Sequence, residues 1–394
     1  MLTTKGDPLP LRQRTWEVVV AGAGPAGTMS ALSLARAGFS VLLVDRSTFP
    51  RAKVCGCCLN MAAVEVLQDA GLFPILKRLG ARPLNELRIH FRNRQIPIRL
   101  PGGYAVSRAA LDEALVEAAR EEGVHFLTGV RAGLEELRAN SCSITLIGRS
   151  SSQTVRACTA LCADGLNGSF LAKNPEFAPK IYSSSRIGIS SLLPDQSADL
   201  PSGSIEMSIG SKGYVGMVEL EDGRINVAAA IASDAIVQAD KTPSRAVRGI
   251  LEEAGAQVPL NMSHADWRGT PPLTRRRRVV GDRRLLILGD AAGYVEPFTG
   301  EGIAWALASG RLIVPVVQRF ATSQSADLGR EWQQLHSKSI RRRQRTCRVV
   351  QTFLKRPGLT SALLRCFAPT SSWIHPIVSL LNRPLLKEAS IYEF

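Results

Sequence analysis

The stretch Glu17–Asp45, EVVVAGAGPAGTMSALSLARAGFSVLLVD, decides the fold. It begins with a short apolar run, Glu17–Ala21, of the kind that a buried parallel sheet uses. A helical pattern follows over Pro25–Ala37 and ends at Gly38, a residue type common just beyond a helix C-terminus. A second apolar run, Val41–Val44, comes next. The pattern predicts a strand–helix–strand unit with parallel strands.

Three glycines with the spacing Gly22-x-Gly24-x-x-Gly27 occupy the turn of this unit, and Asp45 ends its second strand. Gly22 permits the tight turn, Gly24 lets a pyrophosphate approach the backbone, and Gly27 lets the helix pack closely on the strand. The helix N-terminus offers free N–H groups to phosphates. Asp45 can accept hydrogen bonds from ribose hydroxyls. A glycine triplet alone is weak evidence, but this context predicts a dinucleotide site.

Two later strand ends also carry an acid. Asp290 follows the apolar run Arg284–Leu288, and a glycine-rich bend with a helix start comes next, at Gly300–Gly302. Asp290 is placed to bind a polyol, and the helix start to face an anionic or electron-rich ring. Asp164 ends another apolar run before Gly165; taken alone, such an Asp-Gly pair is ordinary turn chemistry.

Together these segments resemble the flavoprotein superfamily of para-hydroxybenzoate hydroxylase, and within it the geranylgeranyl-reductase-like branch. FPRAKVCG at Phe49–Gly56 resembles the Pro-Arg-x-Lys-x-Cys-Gly signature of that branch. The stretch Gly289–Ile303 resembles its Gly-Asp-Ala-Ala-Gly…Pro-x-x-Gly-Glu-Gly-Ile signature. The segment before the Ala109 helix, which ends in Arg108, resembles the flavin-contacting arginine segment of the family.

The resemblance implies FAD as the cofactor, bound in an extended pose. The glycine turn would hold the pyrophosphate, Asp45 the adenosine ribose, Arg108 the phosphates or ribityl chain, and Asp290 the ribityl chain or pyrophosphate. The Gly300–Gly302 backbone would face the flavin ring. The implied cofactor-binding residues are Gly22, Gly24, Pro25, Ala26, Gly27, Asp45, Arg46, Arg51, Cys55, Arg108, Asp164, Gly289, Asp290, Gly300, Gly302 and Ile303.

Cys55 is the candidate catalytic residue, as a redox-active or proton-donating thiol beside the flavin. Lys53 and the nearby arginines would lower the pKa of such a thiol. For Cys57 and Cys58 the interpretation is packing. No second cysteine pair has metal-ligand spacing, so we expect no metal site. The five histidines are scattered, and none is assigned as a general base.

The fold expectation is an α/β protein: a Rossmann-like FAD-binding domain with an antiparallel β-sheet substrate lobe and a helical C-terminal part. The predicted FAD-binding domain is discontinuous and comprises residues 15–85, 103–175 and 281–322. The substrate lobe comprises residues 86–102 and 176–280, and the helical C-terminal region residues 323–394.

The expected function is that of an FAD-dependent oxidoreductase acting on a hydrophobic small molecule, isoprenoid- or polyketide-like. Flavin N5 would reduce or desaturate a carbon–carbon bond. One alternative is an NAD(P)H-dependent flavin monooxygenase that hydroxylates an aromatic ring. Another is a non-catalytic prenyl- or lipid-binding protein on the same fold. Since the chain has one dinucleotide fingerprint, NAD(P)H would act as a transient reductant without a second Rossmann domain.

The chain of 394 residues has 49 Lys and Arg against 34 Asp and Glu, a net charge of +15. This balance suits anionic partners. A basic, partly apolar tail around Arg341–Arg345 could lie on an anionic membrane or cover the lobe interface. No nucleic-acid motif accompanies the charge, so nucleic acid is not an expected partner. Without a secretory signal or spanning segment, we expect a cytoplasmic protein, with peripheral contact at the inner membrane face left open.

Overall fold

The predicted strand–helix–strand unit forms the centre of an eight-stranded sheet in a computed structural model of the chain. The structure describes residues 15–194, 196–296, 300–322, 327–354 and 385–386. The strands of this first sheet are β1 (Thr15–Ala21), β2 (Val41–Asp45), β8 (His125–Thr128), β9 (Arg131–Leu137), β10 (Cys142–Ile147), β11 (Ser152–Cys162), β19 (Gly281–Asp282) and β20 (Leu285–Ile287).

Five of these strands run parallel in the order β20-β11-β1-β2-β8. Every residue of β2 is buried, as the continuous apolar run requires of a strand covered on both faces. The chain leaves β1 towards β2 on one side, while β11 lies on the other side of β1. The Gly22 turn therefore lies where the strand order reverses, the place where open α/β sheets bind ligands.

A second, seven-stranded sheet faces the first and is mostly antiparallel. One pair departs from the predicted antiparallel arrangement. Strand β5, which comes from the first half of the chain, pairs with β14 in the parallel direction. Its strands are β5 (Glu86–Phe91), β6 (Arg94–Arg99), β13 (Ile187–Leu193), β14 (Ser204–Gly210), β15 (Gly213–Glu219), β16 (Ile225–Ile231) and β17 (Arg268–Pro272).

Two three-stranded sheets and ten described helices complete the fold. The small sheets contain β3 (Cys58–Asn60), β4 (Arg82–Pro83) and β7 (Gly103–Ala105), and β12 (Lys180–Ile181), β18 (Arg275–Arg276) and β21 (Gly293–Tyr294). The helices are α1 (Pro25–Arg36), α2 (Met61–Asp69), α3 (Phe73–Arg78), α4 (Arg108–Glu121), α5 (Ser233–Gln238), α6 (Pro243–Ala254), α7 (Gly289–Ala292), α8 (Glu301–Thr322), α9 (Leu328–His336) and α10 (Arg342–Leu354).

Helix α8 packs closely on α1 and covers the first sheet. A Cβ on Gly310 would stand 2.7 Å from the carbonyl oxygen of Ala26 and 2.8 Å from Met29 Cβ. Gly310 therefore sets the closeness of the two helices. This contact fixes the N-terminal part of α1 against the middle of α8.

The described part of the C-terminal region covers the first sheet. Trp332 of α9 is fully buried, and its indole N–H donates to the carbonyl oxygen of Ile287 over 2.9 Å. From α10, Gln344 donates to the Gly293 carbonyl over 3.1 Å. The rest of the predicted helical region, 323–326, 355–384 and 387–394, lies outside the described residues. None of the helices that the structure describes is long and apolar enough to cross a membrane.

The observed architecture confirms the predicted α/β fold class with its two sheets and its helical C-terminal part. The short helix α5 was not predicted. The domain boundaries stay a prediction.

Candidate active site

A cavity of about 490 Å³ lies between the two sheets, at the carboxyl ends of β1, β2 and β11. Fourteen of the sequence-predicted site residues line it: Gly22, Gly24, Pro25, Ala26, Asp45, Arg46, Arg51, Cys55, Arg108, Asp164, Asp290, Gly300, Gly302 and Ile303. The other two, Gly27 and Gly289, do not reach the cavity wall and act through packing. A Cβ on Gly289 would stand 2.8 Å from Ala26 Cβ.

The glycine turn has the geometry that its spacing predicts. Gly22 adopts a φ of +105°, and a Cβ there would lie 2.4 Å from the carbonyl oxygen of Ala163 on β11. A Cβ on Gly27 would lie 1.8 Å from the carbonyl oxygen of Gly22. Gly24, unlike Gly22 and Gly27, has no backbone atom close to its Cβ position. The nearest atoms belong to the guanidinium groups of Arg51 and Arg108, at 3.7 and 3.8 Å. The backbone at Gly24 is thus open towards cationic side chains.

A buried carboxylate organises these cations. Asp112, on α4, is fully buried and pairs with Arg108 through two hydrogen bonds of 2.9 and 2.8 Å. Its Oδ2 also lies 3.1 Å from Nη1 of Arg51. Lys53 lies beside both arginines, and burial together with their charge lowers its pKa. The three cations face the N-terminus of α1, which has no side-chain cap.

Sequence reasoning missed Asp112. A signal was available, because Arg108 and Asp112 are four residues apart on one helix and such residues face each other. What the spacing does not show is that Asp112 also reaches Arg51, which comes from the loop after β2.

Asp45 ties the glycine turn to the end of β2. Its Oδ2 accepts the Ala23 N–H over 2.8 Å, and its Oδ1 accepts the Ser47 N–H over 2.8 Å. Arg51 Nη2 lies 3.5 Å from the same Oδ2. Arg46 is exposed and donates to the Asn167 carbonyl over 3.1 Å. Asp45 therefore shapes the cavity wall, and its contact with a ribose stays a prediction.

Asp164 closes its own turn. Its Oδ2 accepts the Phe170 N–H over 2.8 Å, and Cys162 Sγ donates to its Oδ1 over 3.3 Å. A Cβ on Gly168 would overlap the carboxylate, at 2.0 Å from Oδ1. Burial raises the pKa of Asp164, while the Phe170 N–H lowers it. The carboxylate thus holds a cavity-lining loop in place.

Asp290, the third acid of the site, has a strongly raised pKa. It lies in the cavity wall at the start of α7, and burial raises its pKa to about 6 against the opposing charges of Arg108 and Lys53. The group ionises close to neutral pH. It can therefore accept hydrogen bonds from a bound polyol, and its charge depends on what fills the cavity.

Cys55 lies against Arg108 in the loop before β3. The Cys57 side chain and Arg108 donate hydrogen bonds to its sulfur, and together they lower its pKa to about 6 despite burial. A thiol near a cation and with such a pKa is largely ionised at neutral pH. Of the basic groups around the cavity, Arg108 is the one that acts on Cys55. The catalytic role of Cys55 stays a prediction.

The wall opposite the cations is apolar and belongs to the second sheet. On β15, Tyr214, Gly216, Met217 and Val218 line the cavity, while Val215 packs in the core behind. Other cavity-lining residues of this wall are Leu87, Ile189, Ile205, Met207, Ala228, Ala230 and Leu273. The small residues Gly216 and Ala228, paired across β15 and β16, leave an open strip along the wall.

One buried polar group interrupts this wall. The hydroxyl of Tyr214 hydrogen bonds with Glu296, and burial raises its pKa well above the usual value. Glu296 also forms a buried ion pair with Arg186, with 3.0 Å between Nη1 and Oε1. Sequence reasoning missed this triad because its members come from separate parts of the chain. Pro297–Thr299, part of the second glycine-rich signature, lie outside the described residues.

The residues present fit FAD. The open backbone at Gly24, the uncapped end of α1 and three clustered cations suit a pyrophosphate. Asp290 lies further along the same cavity, where it can accept polyol hydroxyls, and the Gly300–Gly302 bend at the start of α8 lines the part nearest Cys58. In the described residues, no group of three or more His, Cys, Asp or Glu could hold a metal ion.

Comparisons with known proteins agree with this geometry. A family model described as an FAD binding domain matches residues 15–310. A menaquinone reductase of Mycobacterium tuberculosis is 27% identical over 342 residues, covering 81% of this chain and 79% of the relative. A digeranylgeranylglycerophospholipid reductase of Methanopyrus kandleri is 28% identical over 313 residues, covering 75% of each chain.

Among solved structures, a flavoprotein/dehydrogenase from Cytophaga hutchinsonii superposes with a TM-score of 0.80 at 18% identity, covering 94% of this chain and 93% of that one. A flavin-dependent brominase superposes with a TM-score of 0.79 at 16% identity, covering 94% of each. These similarities bear on the fold. With the family match over three quarters of its length, the chain belongs to the FAD-binding-domain family of the para-hydroxybenzoate hydroxylase type and is an FAD-dependent oxidoreductase.

Proposed function

We propose that this oxidoreductase reduces a carbon–carbon double bond in an isoprenoid-like apolar chain. The observation that carries the proposal is the apolar strip of the second sheet, in which Val218 packs in one cluster with Cys55 and Cys58. An apolar wall with a few convergent polar groups is the usual form of a site for a hydrophobic ligand. The menaquinone and digeranylgeranylglycerophospholipid reductases, both similar over most of this chain, act on isoprenoid lipids.

FAD, when bound, supplies a hydride from its N5 position. The chain supplies the environment. Arg51, Lys53 and Arg108 neutralise the phosphates, and the N-terminal end of α8 stabilises negative charge on the ring edge. The small residues Gly216 and Ala228 leave space for the apolar chain against the sheet.

In this proposal the protonated form of Cys55, the minor form at neutral pH, donates the proton that completes reduction of the double bond. A pKa of about 6 lies close to neutral pH, where a group gives up and regains a proton readily. Arg108 stabilises the thiolate that is left behind, and Asp112 holds Arg108 in position through its two hydrogen bonds. Asp112 is thus a positioning residue.

The proposal includes NAD(P)H as a transient reductant and an anionic membrane as a peripheral partner. The basic surface consists of Arg276, Arg341 and Arg345, which border a small cleft beside α10. Within the described part of the chain, no ion pair involves these three arginines. Burial and the charges of its two neighbours lower the pKa of Arg341. Such a surface would favour contact with the membrane in which isoprenoid lipids reside.

The test uses FAD-loaded protein under nitrogen with NADPH or dithionite as reductant. Menaquinone and a geranylgeranyl lipid are added in separate reactions, and the products are analysed by mass spectrometry. A gain of two hydrogen atoms in the isoprenoid chain supports the proposal. Unchanged chains, together with incorporation of oxygen into an aromatic substrate in air, would overturn it in favour of a monooxygenase.

A further inference from the structure

Three cysteines, Cys55, Cys57 and Cys58, line the cavity at the point where the loop after β2 meets the start of α8. All three are free thiols. A Cβ on Gly300 would lie 3.6 Å from the carbonyl oxygen of Cys58 and 3.7 Å from its Cβ. The thiols therefore border the segment that is expected to face the flavin ring, and one loop holds all of them.

The backbone brings two of these thiols together. Cys57 has a φ of +59°, in the left-handed region that favours glycine and costs other residues about 1 kcal/mol. In this conformation the Cys57 N–H donates to Cys55 Sγ over 3.4 Å, and Cys57 Sγ donates to the Cys55 carbonyl oxygen over 3.8 Å. The Cys57 thiol, which has one hydrogen, lies within reach of both this carbonyl oxygen and the Cys55 sulfur. Strain of this kind at a cavity wall is a reason to look for function.

Neighbouring elements hold the turn in this shape. The Asn226 side chain on β16 donates to the Cys55 carbonyl over 3.1 Å, and the Val106 N–H donates to the Cys57 carbonyl over 3.0 Å. Cys57 itself is only 3% exposed and packs with Leu84, Ala105, Val218 and Leu220. The pairing of Cys55 with Cys57 is thus built into the fold.

The three thiols of the loop differ in their protonation. Hydrogen bonds from Cys57 and Arg108 favour the thiolate of Cys55, whereas the hydrogen bond to Cys55 and burial raise the pKa of Cys57, and burial and the neighbouring Cys55 raise the pKa of Cys58 to about 12. The Cys58 thiol donates to the Gly56 carbonyl over 3.2 Å. Cys55 is therefore the nucleophile. Of the two protonated thiols, Cys57 is the one that the turn holds against Cys55, whereas Cys58 is hydrogen bonded to Gly56. Reactive sensor cysteines have this combination of a stabilised thiolate and a neighbouring thiol.

We propose that Cys55 and Cys57 form a peroxide-sensitive thiol pair that closes into a disulfide. The Cys55 thiolate attacks hydrogen peroxide, so that the O–O bond breaks, Cys55 becomes a sulfenic acid and hydroxide leaves. The Cys57 thiol then attacks the sulfenic sulfur; the S–S bond forms and water leaves. Two electrons pass from the two sulfur atoms to the peroxide. A dithiol reductant reverses the change by exchange and is itself oxidised to a disulfide.

The disulfide would withdraw the Cys55 thiol from the cavity beside Arg108. If Cys55 is the proton donor proposed above, oxidation stops reduction of the substrate until the pair is reduced again. This consequence rests on the proposed function, but formation of the disulfide does not. The pair can therefore be tested without measuring turnover.

The experiment treats FAD-loaded protein with a small excess of hydrogen peroxide, alkylates remaining thiols and digests with trypsin. One peptide, residues 54–77, contains all three cysteines of the loop. The expected result is loss of two hydrogen atoms from this peptide, reversed by dithiothreitol, with one cysteine still alkylated. Accumulation of a sulfinic acid on Cys55 without a disulfide, or no reaction at all, would overturn the proposal.

Two variants identify the partner thiol. Cys57→Gly suits a φ of +59° and should fold, as flavin absorbance of the loaded protein verifies. In this variant we expect a sulfenic acid on Cys55 that dimedone traps. In the matched Cys58→Ser control, we expect the disulfide to form as in the unmodified protein. A disulfide that persists in Cys57→Gly and disappears in Cys58→Ser would overturn the pairing.

Discussion

The guanidinium of Arg108 and the carboxylate of Asp112 form a two-pronged ion pair at the wall of the cavity, with Nε and Nη2 at 2.9 and 2.8 Å from the two oxygens. Asp112 is fully buried, and Arg51 approaches one of the same oxygens at 3.1 Å. One carboxylate thus aims two guanidinium groups at the open backbone of Gly24. The cationic half of the site depends on a residue that does not face the ligand space itself.

Replacement of this carboxylate tests its role. Asp112→Asn keeps the volume but removes the charge, so Arg51 and Arg108 lose their common partner. We expect FAD binding to weaken about tenfold, a loss of about 1.4 kcal/mol, as measured by fluorescence titration. The control is Glu121→Gln at the exposed end of the same helix, which should bind FAD normally. Equal affinities in the two variants would contradict the assigned role.

Asp290→Asn should have opposite effects on the free energy of unfolding of the FAD-free protein and on its affinity for FAD. The raised pKa of Asp290, about 6 against the usual 3.8, means that the folded protein holds this proton more tightly than the unfolded chain. Stability that this proton supplies is fully present below about pH 4 and is lost as pH rises to about 6. Above that pH the unmodified protein loses stability because a charged carboxylate is buried, whereas the uncharged asparagine of the variant does not have this effect.

The expected result for FAD-free Asp290→Asn is a gain of about 3 kcal/mol at pH 7 to 8 that disappears below about pH 4. Urea unfolding at several pH values measures it. At neutral pH the same variant should bind FAD more weakly, because the charged acceptor is gone. A stability difference that does not change with pH would show that Asp290 titrates normally.

The apolar strip can be blocked without touching the cofactor residues. A Cβ on Gly216 would lie 3.4 Å from the flexible end of Met207, so a side chain fits there and extends along the wall. We expect Gly216→Leu to retain FAD absorbance and to lose turnover of an isoprenoid lipid at least about tenfold. Gly249→Ala, on an exposed turn of α6, is the control and should be about 1 kcal/mol more stable with unchanged turnover. Normal turnover in Gly216→Leu would exclude this wall as the substrate site.

Binding to anionic vesicles tests the basic surface. We expect the double variant Arg341→Gln and Arg345→Gln to lose roughly 1 kcal/mol of vesicle affinity per charge at low salt. Flotation with phosphatidylglycerol vesicles measures it. The matched control, Arg149→Gln with Arg156→Gln, removes the same charge from exposed positions near β11. If both double variants lose the same affinity, net charge and not this surface is responsible.

Local patterns in the sequence predicted much of this architecture. The first strand–helix–strand unit matches its predicted bounds to within one or two residues. Such elements are predictable because periodicity and end signals act within a few residues. The glycine turn belongs to the same class, since its spacing dictates both the turn and the close approach of α1.

Relationships across long sequence distances were not predictable. The parallel pairing of β5 with β14 joins segments more than a hundred residues apart, and a local pattern does not specify which strand a hairpin will join. The Arg186–Glu296 pair that holds Tyr214 has the same origin. Gly310 falls within an ordinary helical pattern, and only the contact with α1 explains why it is a glycine. These features depend on tertiary contacts, which a local sequence pattern does not specify. More of them belong to the wall proposed for the substrate than to the residues around the cofactor.

The central claim is tested most directly by the flavin itself. FAD-loaded protein is reduced under nitrogen with one equivalent of dithionite, and a geranylgeranyl lipid is then added. We expect the visible absorbance of oxidised flavin to return in proportion to the double bonds reduced, and Gly216→Leu to prevent the return. Flavin that stays reduced with isoprenoid lipids and is reoxidised only by oxygen would contradict the account.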